Sequence, residues 1–227
     1  MWAQILKIFI GILLGAFSGW IVVPRAVRTL IDVKNKKRGR EPMRDVMTAK
    51  KQIYISAAAD ACLSAALCIL FCPAEAIPAF CMIQIALICV WVDQFIRLIA
   101  NEAIVLLLAL GIVYRIVADG VGSLSGSFGA MLAVAVLFGG CAVFMKLRNG
   151  NAGVGAGDLK YAMTLAIAIG WPDLFYFFIG LAAALLFSCL IGIKSGWMRM
   201  NSYFPMCLQL TLGFLCALLV PKIHGLF

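Results

Sequence analysis

Long apolar runs, separated by short polar or glycine-rich segments, fill almost the whole chain. They cover roughly 2–23, 53–72, 77–95, 102–118, 129–147, 158–171, 174–193 and 203–220. Most approach or exceed the length that a helix needs to cross a bilayer. The pattern predicts an all-α fold, a polytopic membrane helix bundle of about eight transmembrane helices. The sixth run is short for a full crossing and ends at Gly170-Trp171-Pro172-Asp173, where Trp171 suits the headgroup level. A turn around Pro73 and Pro78 separates the second and third runs. DGVGSLSGS precedes the fifth, and the loop RNGNAGVGAG follows it. The first run is too long for a signal peptide's apolar region and lacks a convincing cleavage site, so it reads as a retained first helix.

Composition supports this reading. The chain is 64% hydrophobic, with a mean hydropathy of +1.05. A soluble core of 227 residues would carry more charge and clear amphipathic periods. Residues 24–52 hold ten of the nineteen Lys/Arg residues and three acids. Such a block can bind nucleic acid or acidic lipid. Beside apolar helices it reads as a cytoplasmic loop, with the lipid bilayer and not nucleic acid as its partner. The chain then divides into an N-terminal transmembrane pair with this loop, 1–72, and a six-helix core, 73–227.

Placing the basic loop inside and alternating sides puts sixteen Lys/Arg residues in the cytoplasm. Lys7, Arg115 and Lys222 remain outside, as do both termini. Cys62, Cys68, Cys72, Cys81, Cys89, Cys141, Cys189, Cys207 and Cys216 lie in or beside apolar runs with no CxxC pair. They read as small packing residues, and neither a metal site nor a cofactor is expected.

Charges within spans are costly and mark functional sites by default. Asp60, in ISAAADACLSAAL, has small neighbours that allow another helix to approach closely. It reads either as a buried carboxyl hydrogen-bonded to that helix or as a helper near a site. Asp93 ends the third run in DQFIRLIAN. Alone it could pair with Arg97 across one helical turn. Asp158 follows Gly155-Ala156-Gly157 and reads first as an N-cap. The glycines add what a cap does not require: room for an extended chain against the backbone.

Topology places Asp93 and Asp158 at the cytoplasmic ends of their helices. Two aspartates at one depth suit aspartyl proteolysis. One carboxylate takes a proton from water; a protonated partner polarises the scissile carbonyl and later protonates the leaving amine. Two close carboxyls share one proton and titrate as a unit. No serine–histidine arrangement competes, since the one histidine, His224, lies at the far end on the expected outer face.

These residues also carry a resemblance. Asp93, Arg97, Ile99 and Asn101 resemble the D-x3-R-x-I-P-N segment of type IV prepilin peptidases, and GAGDLK, residues 155–160, resembles their GxGD-(V/L)-K motif. YFPMCLQL, residues 203–210, and GILLGAFSGWIVVPRAVR, residues 11–28, are similar to the family's late P-F-x-P-F-L and opening G-x-x-x-G segments. The resemblance implies an intramembrane aspartyl endopeptidase of a bacterial or archaeal cytoplasmic membrane. It would cut the short leader from prepilin-like or pseudopilin-like single-span preproteins at the cytoplasmic face, without a cofactor. Asp93 and Asp158 would be its catalytic pair. Gly155 and Gly157 would shape the loop, with Lys160, Arg97 and Asn101 as further support.

Two departures stand out. Ala100 replaces the proline before Asn101. The first loop is short, basic and free of the cysteines that, in bifunctional relatives, hold zinc and accompany N-methylation. A reduced, peptidase-only form is expected. Presenilin-like proteases share the GxGD logic, but their first motif is tyrosine–aspartate, and here Val92 precedes Asp93. A proton-coupled transporter using Asp60, Asp93 and Asp158 would predict acids nearer the middle of the membrane. A scaffold protein would leave the two aspartates without a reason to share a face.

Overall fold

Each apolar run becomes a helix in the computed structural model of the protein, which describes residues 2–41, 43, 46–149, 155–194 and 205–224. Helix α1 spans Trp2–Phe17 and passes through a π-helical turn, Ser18–Val22, into α2, Val23–Lys37. There follow α3 (Lys50–Leu70), α4 (Pro73–Ile96) and α5 (Asn101–Asp119). A short 3₁₀ turn then leads to α6 (Leu124–Asn149), α7 (Ala156–Ile169), α8 (Leu174–Lys194) and α9 (Cys207–His224). No strand occurs among the described residues. Seven described helical stretches are long and apolar enough to cross a membrane. The chain is therefore a multi-pass, all-α membrane protein. With fourteen residues, α7 is the exception; it is about 21 Å long against a hydrocarbon core of about 30 Å.

The basic loop differs from the expectation, because its first half is helix. The run of charges conceals an apolar stripe, Val23, Val27 and Ile31, repeating every four residues and buried along α2. Together with Val46, Met47 and Val92 these form one core cluster, with Trp91 and Phe95 of α4 packed against it. The helix ends in a Schellman turn: Arg40 N–H reaches Asn35 C=O at 2.9 Å and Gly39 N–H reaches Lys36 C=O at 3.2 Å. Lys34, Lys36 and Lys37 in the last turn complement the helix dipole. The loop positions Pro42, Arg44 and Asp45 lie outside the described residues.

Contacts gather into two units, Met1–Leu106 and Leu107–Phe227. In the first, α1 lies against α3 so closely that a side chain at Gly15 would meet the Asp60 carbonyl at 2.5 Å. The small residues around Asp60 do admit a neighbouring helix. In the second unit, α7 is covered by α6 and α9, and α8 pairs with α9. Tyr161, Ala162 and every residue from Thr164 to Ile169 are buried. Phe177, Leu210 and Phe214 complete that core. Large apolar side chains that remain exposed are common on α1, α6 and α8, as lipid-facing surfaces require.

The α7–α8 turn fixes the lower end of α7. Gly170 has φ +70° and ψ −178°, a conformation essentially confined to glycine. A side chain there would also meet the Arg115 guanidinium carbon at 2.8 Å. Arg115 donates from Nη1 to the Ile169 carbonyl at 2.9 Å and pairs with Asp119 at 2.8 Å. Gly170→Ala is therefore expected to cost about 1–3 kcal/mol, read as a lower thermal unfolding midpoint in detergent. An unchanged midpoint would contradict this description of the turn.

Candidate active site

In the first unit, Asp93 sits on the last turn of α4 with 6% of its surface exposed. Its neighbour Val92 is locked into the α2 cluster. Arg28 of α2 donates from Nε to the Val46 carbonyl at 3.0 Å and from Nη2 to the Met47 carbonyl at 2.8 Å, holding the returning chain in place. Lys34 bonds Glu102, in the first turn of α5, at 2.6 Å, with Lys37 at 3.8 Å. The strap formed by α2 thus ties both helices that flank the Asp93 turn.

Arg97 does not share a helical face with Asp93, as the i,i+4 spacing suggested. The last helical residue is Ile96, and Arg97 caps the helix in the left-handed conformation, φ 50° and ψ 50°. Its backbone N–H donates to the Asp93 carbonyl at 2.9 Å, and its side chain is exposed. A non-glycine residue in this region stores strain. Ile99 and Ala100, the latter standing where the motif has proline, are buried just beyond it. Asn101 then opens α5 and is exposed.

In the second unit, Gly155 and not Asp158 caps α7. Asp158 stands three residues later, half-buried in the first turn, and its carboxyl accepts a hydrogen bond from the Gly155 backbone N–H. This is the third-position half of a capping box. The positive end of the helix dipole lies at this carboxyl. A side chain on Gly155 would meet Asp158 Oδ2 at 2.8 Å, so the glycine leaves the carboxyl its space. Gly157 is half-buried in the same turn, and Lys160 points outward and is exposed. The preceding loop residues 150–154 lie outside the described residues, as do Tyr203 and Phe204 of the late motif.

Asp60 belongs to a different network of the first unit. It is fully buried on α3, and Gln84 of α4 donates Nε2 to its Oδ1. Ser18, at the π-helical turn, donates to Gln84 Oε1 at 2.6 Å. Gln84 precedes Asp93 by nine residues, about 13 Å along α4. The hydrogen-bonded reading of Asp60 thus has a named partner on a neighbouring helix. Gln84 and Ser18 were not singled out from the sequence, although a lone glutamine in an apolar helix was the available signal.

The predicted residues therefore fall into three places. Asp93, Arg97 and Asn101 share the α4–α5 turn. Gly155, Gly157, Asp158 and Lys160 share the start of α7. Asp60 stands apart, with Ser18 and Gln84.

Among known proteins, the family described as the type IV leader peptidase family matches residues 80–197. That stretch contains both turns and leaves out Asp60. No curated protein and no solved structure matches the chain.

Proposed function

Because the chain belongs to the type IV leader peptidase family, we propose that it is an aspartyl endopeptidase acting through Asp93 and Asp158. It removes the short leader from prepilin-like or pseudopilin-like preproteins at the cytoplasmic face of a cytoplasmic membrane. The observation that carries this reading is the setting of Asp158. A carboxyl in the first turn of a buried helix is held by the Gly155 N–H, and the side chain that Gly155 lacks would collide with its Oδ2.

In the proposed reaction one carboxylate of the pair removes a proton from water, and the oxygen attacks the scissile carbonyl. The protonated carboxyl of the pair polarises that carbonyl and then gives its proton to the departing amine. The two groups act as one titrating unit, one proton shared between them. Gly155 and Gly157 leave backbone open to an extended substrate, and Arg97, Asn101 and Lys160 support the two turns. Residues 73–227 form the peptidase core, preceded by a transmembrane pair whose basic segment faces anionic headgroups. Peptidase activity without methyl transfer fits the cysteine-free first loop.

The test is cleavage by the purified, bilayer-reconstituted protein. A precursor bearing a leader before an apolar helix is expected to be cut once, just before that helix, with a bell-shaped dependence of rate on pH. A single-span substrate without a leader is expected to remain intact. Cutting of the second substrate alone would favour a presenilin-like specificity. Aspartate-dependent ion flux without cleavage would replace the peptidase reading with transport.

A further inference from the structure

The aspartate-bearing helix α7 is too short to be fixed by the two membrane surfaces. Much of its buried surface is small: Ala162, Ala166 and Ala168 are fully buried. Smooth apolar packing is non-directional, so it determines the rotation and height of such a helix poorly. The residues before Asp158, Gly155-Ala156-Gly157, offer no long side chain as an anchor.

Polar ties supply what the packing lacks. At the lower end, Arg115 holds the Ile169 carbonyl at 2.9 Å. At the upper end, Tyr161 is fully buried, and its hydroxyl lies 2.8 Å from Thr211 Oγ1 of α9. Thr211 has one hydroxyl proton, which it donates to the Cys207 carbonyl at 2.8 Å. Tyr161 must therefore be the donor of the shared bond. The chain runs Tyr161 O–H to Thr211 O–H to the backbone at the start of α9. Tyr161 follows Asp158 by three residues, so both lie on one side of α7.

We propose that the Tyr161–Thr211 hydroxyl pair is a positioning device that sets the rotation and height at which α7 presents the Asp158 carboxyl. Its catalytic consequence rests on the reading of Asp158 given above. Tyr161 acts through the helix, and neither hydroxyl is assigned contact with substrate. Thr211 is the relay of the pair, since its one hydroxyl both accepts from Tyr161 and donates to the Cys207 carbonyl.

Two readouts test this on the full-length reconstituted protein. The first is leader cleavage. Tyr161→Phe and Thr211→Val are each expected to lower kcat about tenfold with KM unchanged. The double variant should fall no further than either single one, and Thr211→Ser, which keeps the hydroxyl, should retain the wild-type rate. The second is backbone hydrogen exchange, which needs no activity. Tyr161→Phe is expected to speed exchange across residues 156–164 while α8 stays protected as in wild type. Unchanged exchange in those residues, or loss of protection spread equally over α8 and α9, would overturn the proposal. If wild-type protein cuts no precursor but exchange rises locally as expected, the positioning device stands and the peptidase reading fails. If wild type cuts and Tyr161→Phe matches it in both readouts, the reverse holds.

Discussion

Gly155→Val is expected to slow leader cleavage about a hundredfold while the protein inserts and unfolds as wild type does. The backbone at Gly155 has φ −70° and ψ 142°, an extended conformation open to any residue. The substitution therefore introduces no backbone strain. The atoms that a new Cβ would meet both belong to one side chain: Asp158 Oδ2 at 2.8 Å and Asp158 Cγ at 3.7 Å. Contact that close forces the carboxyl to move. A shift on the order of 1 Å in a reacting group costs about 10²-fold in rate. The branched valine adds bulk in the same direction, and Gly155→Ala should fall between it and wild type. The check is kcat on a precursor peptide beside the thermal midpoint of each variant. A normal midpoint with a normal rate would mean that the Asp158 carboxyl is not confined as described.

Much of this fold follows from the apolar runs, because run length is itself a physical requirement of the bilayer. Predicted and observed helices agree within a few residues for α3, α4, α5 and α8. The shortness of the sixth run survives as the fourteen-residue α7. What escaped the sequence reading was decided by tertiary packing. The charges of α2 outweigh Val23, Val27 and Ile31 in the sequence and so read as loop, because that apolar stripe matters only once α4 is there to cover it. The DGVGSLSGS turn proved shorter than its glycines suggest, since α6 already begins at Leu124.

The candidate site was legible to a similar degree. Both aspartates and their helix-end settings could be read in advance. Their local roles could not. Arg97 carries no sequence sign of a left-handed cap, a position that usually goes to glycine. Asp158 moved from the cap to the third helical position because Gly155 can itself begin the helix. The Tyr161–Thr211 bond joins residues fifty positions apart, and in the sequence Tyr161 is merely one more aromatic in an apolar run.

Asp93→Asn and Asp158→Asn are expected to have the largest effect of all, a loss of about a thousandfold or more in cleavage rate. Asparagine matches aspartate in shape. At position 158 its side-chain oxygen can still accept the Gly155 N–H, so the start of α7 should survive the change. At position 93 the amide occupies the same volume on the last turn of α4. What neither amide can do is take a proton from water or deliver one to the leaving amine. Groups that act as a unit lose nearly everything when one is removed, so either single variant should be as inactive as the pair.

The most direct measurement is the rate of leader removal from one precursor, followed by mass spectrometry, for wild type, Asp93→Asn and Asp158→Asn reconstituted in the same bilayer. The expected result is a single cut just before the apolar helix by wild type and none by either variant, with all three showing the same unfolding midpoint. Cleavage at the wild-type rate by either asparagine variant would contradict the two-aspartate mechanism.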